Sequence, residues 1–169
     1  MANQIIKGDD LMLFTNVSTG VTKSYRSIAY ATSHVLTINA EATDTSTKDH
    51  GIWGGSEVNK ITWEISSENL YSSEAYLDLF DLMISRQPVD VIFGHEKEDK
   101  SSGQSVVDGD YQYWTPSYEG DTGKSLAYLK GQAYITSLVA NANNGENATF
   151  SITLSGKGGI TKETANPNT

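Results

Sequence analysis

Residues 43 to 53, TDTSTKDHGIW, gather two aspartates, a lysine, a histidine and four hydroxyl side chains within eleven positions. Three kinds of chemistry use such a set: proton transfer between acid and base, chelation of a hard cation, and hydrogen bonding of side-chain oxygens to nearby backbone amides. Asp44, Ser46 and Lys48 stand at the alternate positions that open an EF-hand loop, but Lys48 puts a positive charge where an oxygen ligand belongs. His34, His50 and His95 make no HExxH pair and no histidine doublet of zinc type, and His50 beside Asp49 in a glycine-containing turn reads as a hydrated loop residue. Loop shaping is the reading that survives.

Other places for chemistry are equally thin. Asp108, Asp110, Gln112 and Glu119 match positions one, three, five and twelve of a calcium loop, yet Tyr113 replaces the turn glycine and neither flank reads as a helix. A weak calcium site there stays open as an alternative. The chain has no G-x-S-x-G turn and no cysteine, so nucleophilic catalysis has no local signature. GKGG at 156 to 159 lacks the strand-loop-helix context and the Lys-Ser/Thr pair of a phosphate loop, and reads as a flexible exit from the last strand. The sequons at Asn16 and Asn147 carry little weight without a secretion signal. No catalytic residue, metal or cofactor is expected, and the chain is not read as an enzyme; a metal-dependent hydrolase is the remote alternative.

Composition narrows the class further. A chain of 169 residues fits one domain, residues 1–169, that can bury roughly two-thirds of its unfolded surface. The lack of cysteine rules out a disulfide framework and suits a reducing cytoplasm. No stretch approaches the ~18 apolar residues of a membrane span, and MANQIIKGDD has neither the basic region nor the apolar block of a signal peptide. With 12 Lys+Arg against 21 Asp+Glu, the net charge of -9 disfavours tight binding to a phosphate backbone.

The elements that must hold the opening loop are strands. In SHVLTINA a period of two sets Leu36, Ile38 and Ala40 against Val35, Thr37 and Asn39, with Glu41 continuing the polar face. VNKITWEIS repeats the pattern, with Ile61, Trp63 and Ile65 opposing Lys60, Thr62, Glu64 and Ser66. Both are predicted as half-buried strands flanking the loop. One helix is predicted from about Ser73 to Arg86, because Tyr76, Leu79, Phe80 and Met83 line one face, widened by Leu77, Leu82 and Ile84. Ser72 or Ser73 can cap it, Glu74 and Arg86 suit its dipole, and Pro88 stops it. Burying the four facing side chains contributes very roughly 1.5 to 3 kcal/mol each.

VDVIFG then alternates as another strand, and residues 96 to 124 form a long polar insertion. Strands over SLAYLKGQAYITSLVA and NATFSITLSG, joined by NANNGE, make an antiparallel hairpin in which Phe150, Ile152 and Leu154 share a face. A polar tail from about 160 to 169 should fray. Early strands at 9 to 14 and 20 to 31 bring the count to six to eight with one helix. Within the insertion, Tyr111, Tyr113, Trp114 and Tyr118 form an aromatic cluster that can anchor its own loop, meet another subunit, or recognise a carbohydrate or cell surface.

This order of elements resembles the major tail tube proteins of long-tailed bacteriophages. DTSTKDHGIW is similar to that family's aspartate-threonine-serine-lysine-aspartate segment followed by glycine and tryptophan. GQAYITSLVANANNGENATFSITLSGKGGIT resembles its C-terminal signature, and the helix and QPVDVIFG fall where the family places a helix and the next strand; the likeness covers about residues 25 to 162. It implies a mainly β, antiparallel β-sandwich or barrel-like tail tube fold with one flanking helix, shared with contractile-tail and type VI secretion tubes. It also implies hexameric rings stacked into a tube around the tape-measure protein, with tail-end proteins as neighbours and genomic DNA passing through the lumen without specific binding. Such a protein sits in the virion tail, is assembled in the host cytoplasm, and has no membrane anchor. The alternative is a β-sandwich binding module using the 111–118 aromatic loop.

Under this resemblance Asp44, Asp49, Ser46 and Thr47 shape the loop, Lys48 pairs across a subunit boundary and Trp53 anchors the loop's end. The interface candidates are Asp44, Lys48, Asp49, Trp53, Tyr111, Tyr113 and Trp114. Thr37, Asn39, Glu41, Thr62 and Glu64 are the candidates for the lumen. The negative net charge agrees, because a basic lining would release counterions and hold the DNA.

Overall fold

In the computed structural model, residues 11–16, 25–28, 30–95 and 127–164 are described. The aromatic cluster, the candidate calcium loop and the whole 96 to 124 insertion lie outside them. The elements are β1 (Leu11–Asn16), β2 (Tyr25–Ser27), β3 (Ala31–Asp44), β4 (Ser56–Leu70), α1 (Ser73–Ser85), β5 (Val89–His95), β6 (Ala127–Asn141) and β7 (Thr149–Thr164). Seven strands form one antiparallel sheet in the order β2-β1-β5-β6-β7-β4-β3. The mainly β, one-helix fold agrees with the sequence reading.

Alternation sorts the sheet into two faces. On one, Leu13, Trp63, Ile65, Val89, Val91, Ala133, Ile135, Phe150, Ile152 and Leu154 pack with Ala75 and Leu79 of α1. The opposite face carries a smaller cluster of Phe14, Tyr25, Ile92 and Tyr128. At the margin of the main core, Tyr71 and Tyr76 meet Phe150 edge to face and each other at a tilt, with ring centroids 5.1 to 6.4 Å apart. Helix α1 stops at Arg86, which takes the left-handed conformation (φ 56°, ψ 22°) and donates its N–H to the Met83 carbonyl. Ser72 precedes the helix in extended conformation, but its side chain makes no capping hydrogen bond.

Two sequence expectations change. GKGG does not leave the last strand; it lies inside β7, which runs on to Thr164 paired with β6. The reason is Trp63. Its ring lies against the backbone of Gly156 and Gly131, so closely that a Cβ on Gly156 would stand 2.3 Å from Cε2 and one on Gly131 2.8 Å from Cζ2. Only glycine leaves that space. The indole N–H donates to the Gly158 carbonyl at 2.9 Å, within a three-residue bulge where Gly158 has φ +74°.

The second change concerns the strands around the opening loop. Their alternation is as read, and they pair with Leu36 opposite Ile65, Ile38 opposite Trp63 and Ala40 opposite Ile61. Their burial is not. Pairing of β4 with β7 ends at Glu64 and Ser155, next to the Trp63 ring, and beyond it β4 pairs with β3 alone. The hairpin therefore leaves the sheet as a two-stranded arm, with Ile38 50%, Val58 59% and Ile61 64% exposed.

Replacing Gly156 with alanine is expected to displace the Trp63 ring and to cost about 2 to 3 kcal/mol of stability. Urea unfolding of the variant beside the parent protein measures it.

Candidate assembly surface

The arm collects most of the residues singled out from the sequence. At its end, Thr45 N–H donates to the Gly55 carbonyl at 2.9 Å, and a single turn of 3-10 helix spans Lys48–His50. Asp44 accepts the Ser46 N–H at 2.8 Å, and the Ser46 hydroxyl accepts the Gly55 N–H at 2.9 Å. Hydrogen bonds from the Ser46 hydroxyl and backbone hold the Asp44 carboxyl below its usual range. Asp44 and Ser46 thus shape the loop as expected from their type.

Trp53 does otherwise. It is 80% exposed and its neighbour Ile52 is 92% exposed, so Trp53 does not anchor the loop within the described chain. Lys48 and Asp49 are exposed on the same tip. The structure thus brings Asp44, Lys48, Asp49 and Trp53 together at one end of the arm, while Tyr111, Tyr113 and Trp114 lie outside the described residues.

Cross-strand register gathers the five polar candidates. Thr37 faces Glu64, Asn39 faces Thr62 and Glu41 faces Lys60, all exposed on one side of the arm. That side is continuous with the sheet face opposite the helix, where Tyr134 and Glu64 each pair with Ser155 and Gln132 donates to Asp90 at 3.1 Å. The other side of the arm carries Ile38, Ala40, Ala42, Val58 and Ile61, and a bulge between the Glu41 and Ala42 pairings keeps Val58 in that stripe.

Helix α1 holds residues whose role the sequence did not separate. Leu79 and Ala75 are buried, and Tyr76, Leu82 and Met83 pack at the core's margin. Phe80 is 44% exposed instead of facing the sheet, and Leu77 and Ile84 are 54% and 64% exposed. The apolar positions of the helix wrap too far round to meet one sheet. On its margin Arg26 and Asp78 form an ion pair in a cleft lined also by Asp81, Leu82 and Ser85.

A model of the phage tail tube protein family matches residues 5–162. The chain belongs to the phage tail tube protein family. The fold of this tail tube protein is similar to the tail of an empty gene transfer agent particle refined with C6 symmetry, at TM-score 0.67 and 13% identity over 94% of this chain and 99% of the other. It is also similar to a chain of the native gene transfer agent virion, at TM-score 0.65 and 12% identity over 94% and 99%. The SPP1 tail tube aligns at TM-score 0.57 and 11% identity over 96% of this chain and 80% of the other. No curated protein sequence matches. The chain is a structural tube subunit, as its family and fold indicate.

One titratable group sits on the part of β3 that belongs to the body of the sheet. His34 faces Ser67 across β3 and β4, its Nδ1 lacks a partner among the described residues, and burial pulls its pKa from 6.5 down to about 4. Between those two values the unfolded chain binds a proton that the folded one refuses. Stability is therefore expected to fall by up to roughly 3 kcal/mol as pH drops from about 6.5 to about 4. Thermal melts across that window check this, and His34→Gln should remove the slope.

Proposed function

We propose that the protein builds hexameric rings that stack into the tail tube of a virion and form the conduit for genome delivery. The observation that carries this reading is the arm: a strand pair with an apolar face left uncovered by the described residues of its own subunit. A monomer meant to stay single would bury or remove such a face. The sheet edge adds to it. Among the described strands β3 is one of the two outer strands, 14 residues long and without proline or lysine, the residues that blunt an exposed edge. Closure of a ring satisfies such edges with neighbouring copies.

In this arrangement the face opposite α1 turns inward. Thr37, Asn39, Glu41, Thr62 and Glu64 line the lumen with neutral and acidic groups, which lets DNA pass without holding its phosphates. The helix turns outward, and the arm tip with Lys48 and Trp53 reaches a neighbouring subunit. The tube encloses the tape-measure protein and meets tail-end proteins at its ends. It acts without a catalytic centre, and the subunits assemble in the host cytoplasm.

Negative-stain microscopy of the purified protein tests the reading: rings or tubes are expected, and a strictly monomeric particle at high concentration overturns it. Trp53→Ala and Lys48→Glu should each reduce tube formation while shifting the melting temperature of the isolated subunit little, since both side chains lie on an exposed tip. Normal tubes from both variants would remove the tip from the interface.

A further inference from the structure

The bulge of β7 beside Trp63 has a second side. Gln132 pairs with Lys157 and Lys130 with Thr161, so Gly158 to Ile160 stand opposite Gly131 alone. On the helix side the Trp63 ring fills the space at Gly131. On the face opposite α1 the buckled strand borders a concavity of about 260 Å³, lined by Asp90, Lys130, Gln132, Lys157, Gly159 and Thr161. From this we propose that the concavity is a binding site for free inorganic phosphate, held between Lys130 and Lys157.

Charge carries the assignment. Lys130 stands opposite Ile92, a member of the cluster on that face, and Gln132 stands opposite Asp90, so β5 and β6 bring their polar side chains to one place. Neither lysine has a carboxylate within ion-pair distance among the described residues, although acids outnumber bases by 21 to 12 in this chain. Lys130 is half-buried. The Lys157 ammonium lies 5.8 Å from the centre of the Tyr134 ring, a contact that keeps it beside the concavity. Two cations gathered across a strand pair repel one another, and a shared anion turns that cost into attraction. The opening is several times the ~30 Å³ share of one water, which admits a small oxyanion with part of its hydration.

Asp90 decides which anion. It borders the same concavity and accepts the Gln132 amide N–H at 3.1 Å. A carboxylate offers about four lone-pair sites, so Asp90 can accept a further hydrogen bond, but only from an anion that brings a proton. Phosphate at neutral pH carries a P–OH group and can donate it. Sulfate and the phosphodiester of DNA carry none, and their oxygens meet the carboxylate as like charges. The site therefore selects free phosphate over both. On the reading that this face lines a conduit, a phosphate bound here also covers the two lysines, so passing DNA meets no bare cation at this place. The site itself does not depend on that reading.

Titration calorimetry of the full chain with inorganic phosphate tests the site, with sodium sulfate and a short DNA duplex as separate arms. Saturable binding of one phosphate per chain is expected, and Lys130→Gln and Lys157→Gln should each weaken it about fivefold or more. Asp90→Asn should lower the preference for phosphate over sulfate, a change of selectivity that a role in folding alone would not produce. In the parent protein, phosphate should also shift the amide resonances of Gly131 and Gly159, a readout that needs no variant. No saturable phosphate binding by the folded parent overturns the proposal, as does binding that both lysine variants keep at full strength. Duplex DNA that displaces phosphate from the parent, and itself binds less to the lysine variants, overturns the choice of free phosphate. All of these readouts are taken on the isolated subunit, so they stand or fall apart from ring formation.

Discussion

The Trp63 indole lying over Gly131 and Gly156 is the contact on which the rest of the subunit depends. It joins β4 to the bulged part of β7, caps one end of the main core, and stands where pairing between β4 and β7 stops. On one side of it the sheet is a seven-stranded body covered by a helix. On the other, β3 and β4 continue as an arm that, among the described strands, is supported by its own ladder alone. The body's stability and the arm's direction are therefore set at one place. A buried aromatic ring fixed by a hydrogen bond suits the task, since it fills volume and sets orientation together.

The division explains why a chain of modest hydrophobic content leaves large apolar side chains exposed. A hydrophobic core stabilises a subunit, whereas an assembly also requires apolar surface held back from folding. The strand alternation that would bury Ile38 and Ile61 in an ordinary sheet keeps them on one side of the arm, available to another chain. The polar residues opposite them then share a surface by geometry alone. One strand pair can thus contribute both to a contact between copies and to the wall of a conduit.

Much of this was written in local pattern. The period of two around Leu36 and Ile65 determined both strands and the residues that share each face, and the observed register keeps those faces together. The helix and its end at Arg86 followed from apolar spacing and Pro88, and the turn at Asn143 to Glu146 from its asparagines and a glycine with φ +84°. The loop bonds of Asp44 and Ser46 also came from residue type, since short polar side chains reach only nearby amides.

What remained hidden depends on residues far apart in the chain. GKGG reads as a flexible tail because nothing nearby says that an indole from position 63 will occupy the space a side chain would need. Phe80 reads as core because apolar spacing alone does not tell which part of a broad helical face meets the sheet. Trp53 reads as an anchor because tryptophan is usually buried, and only the direction of the arm carries it into solvent. The sequence by itself determined the elements, their pairing faces and the local bonds of the loop, all of which act over a few residues. Tertiary structure alone decided which apolar faces are covered, because burial is set by where distant elements come to lie.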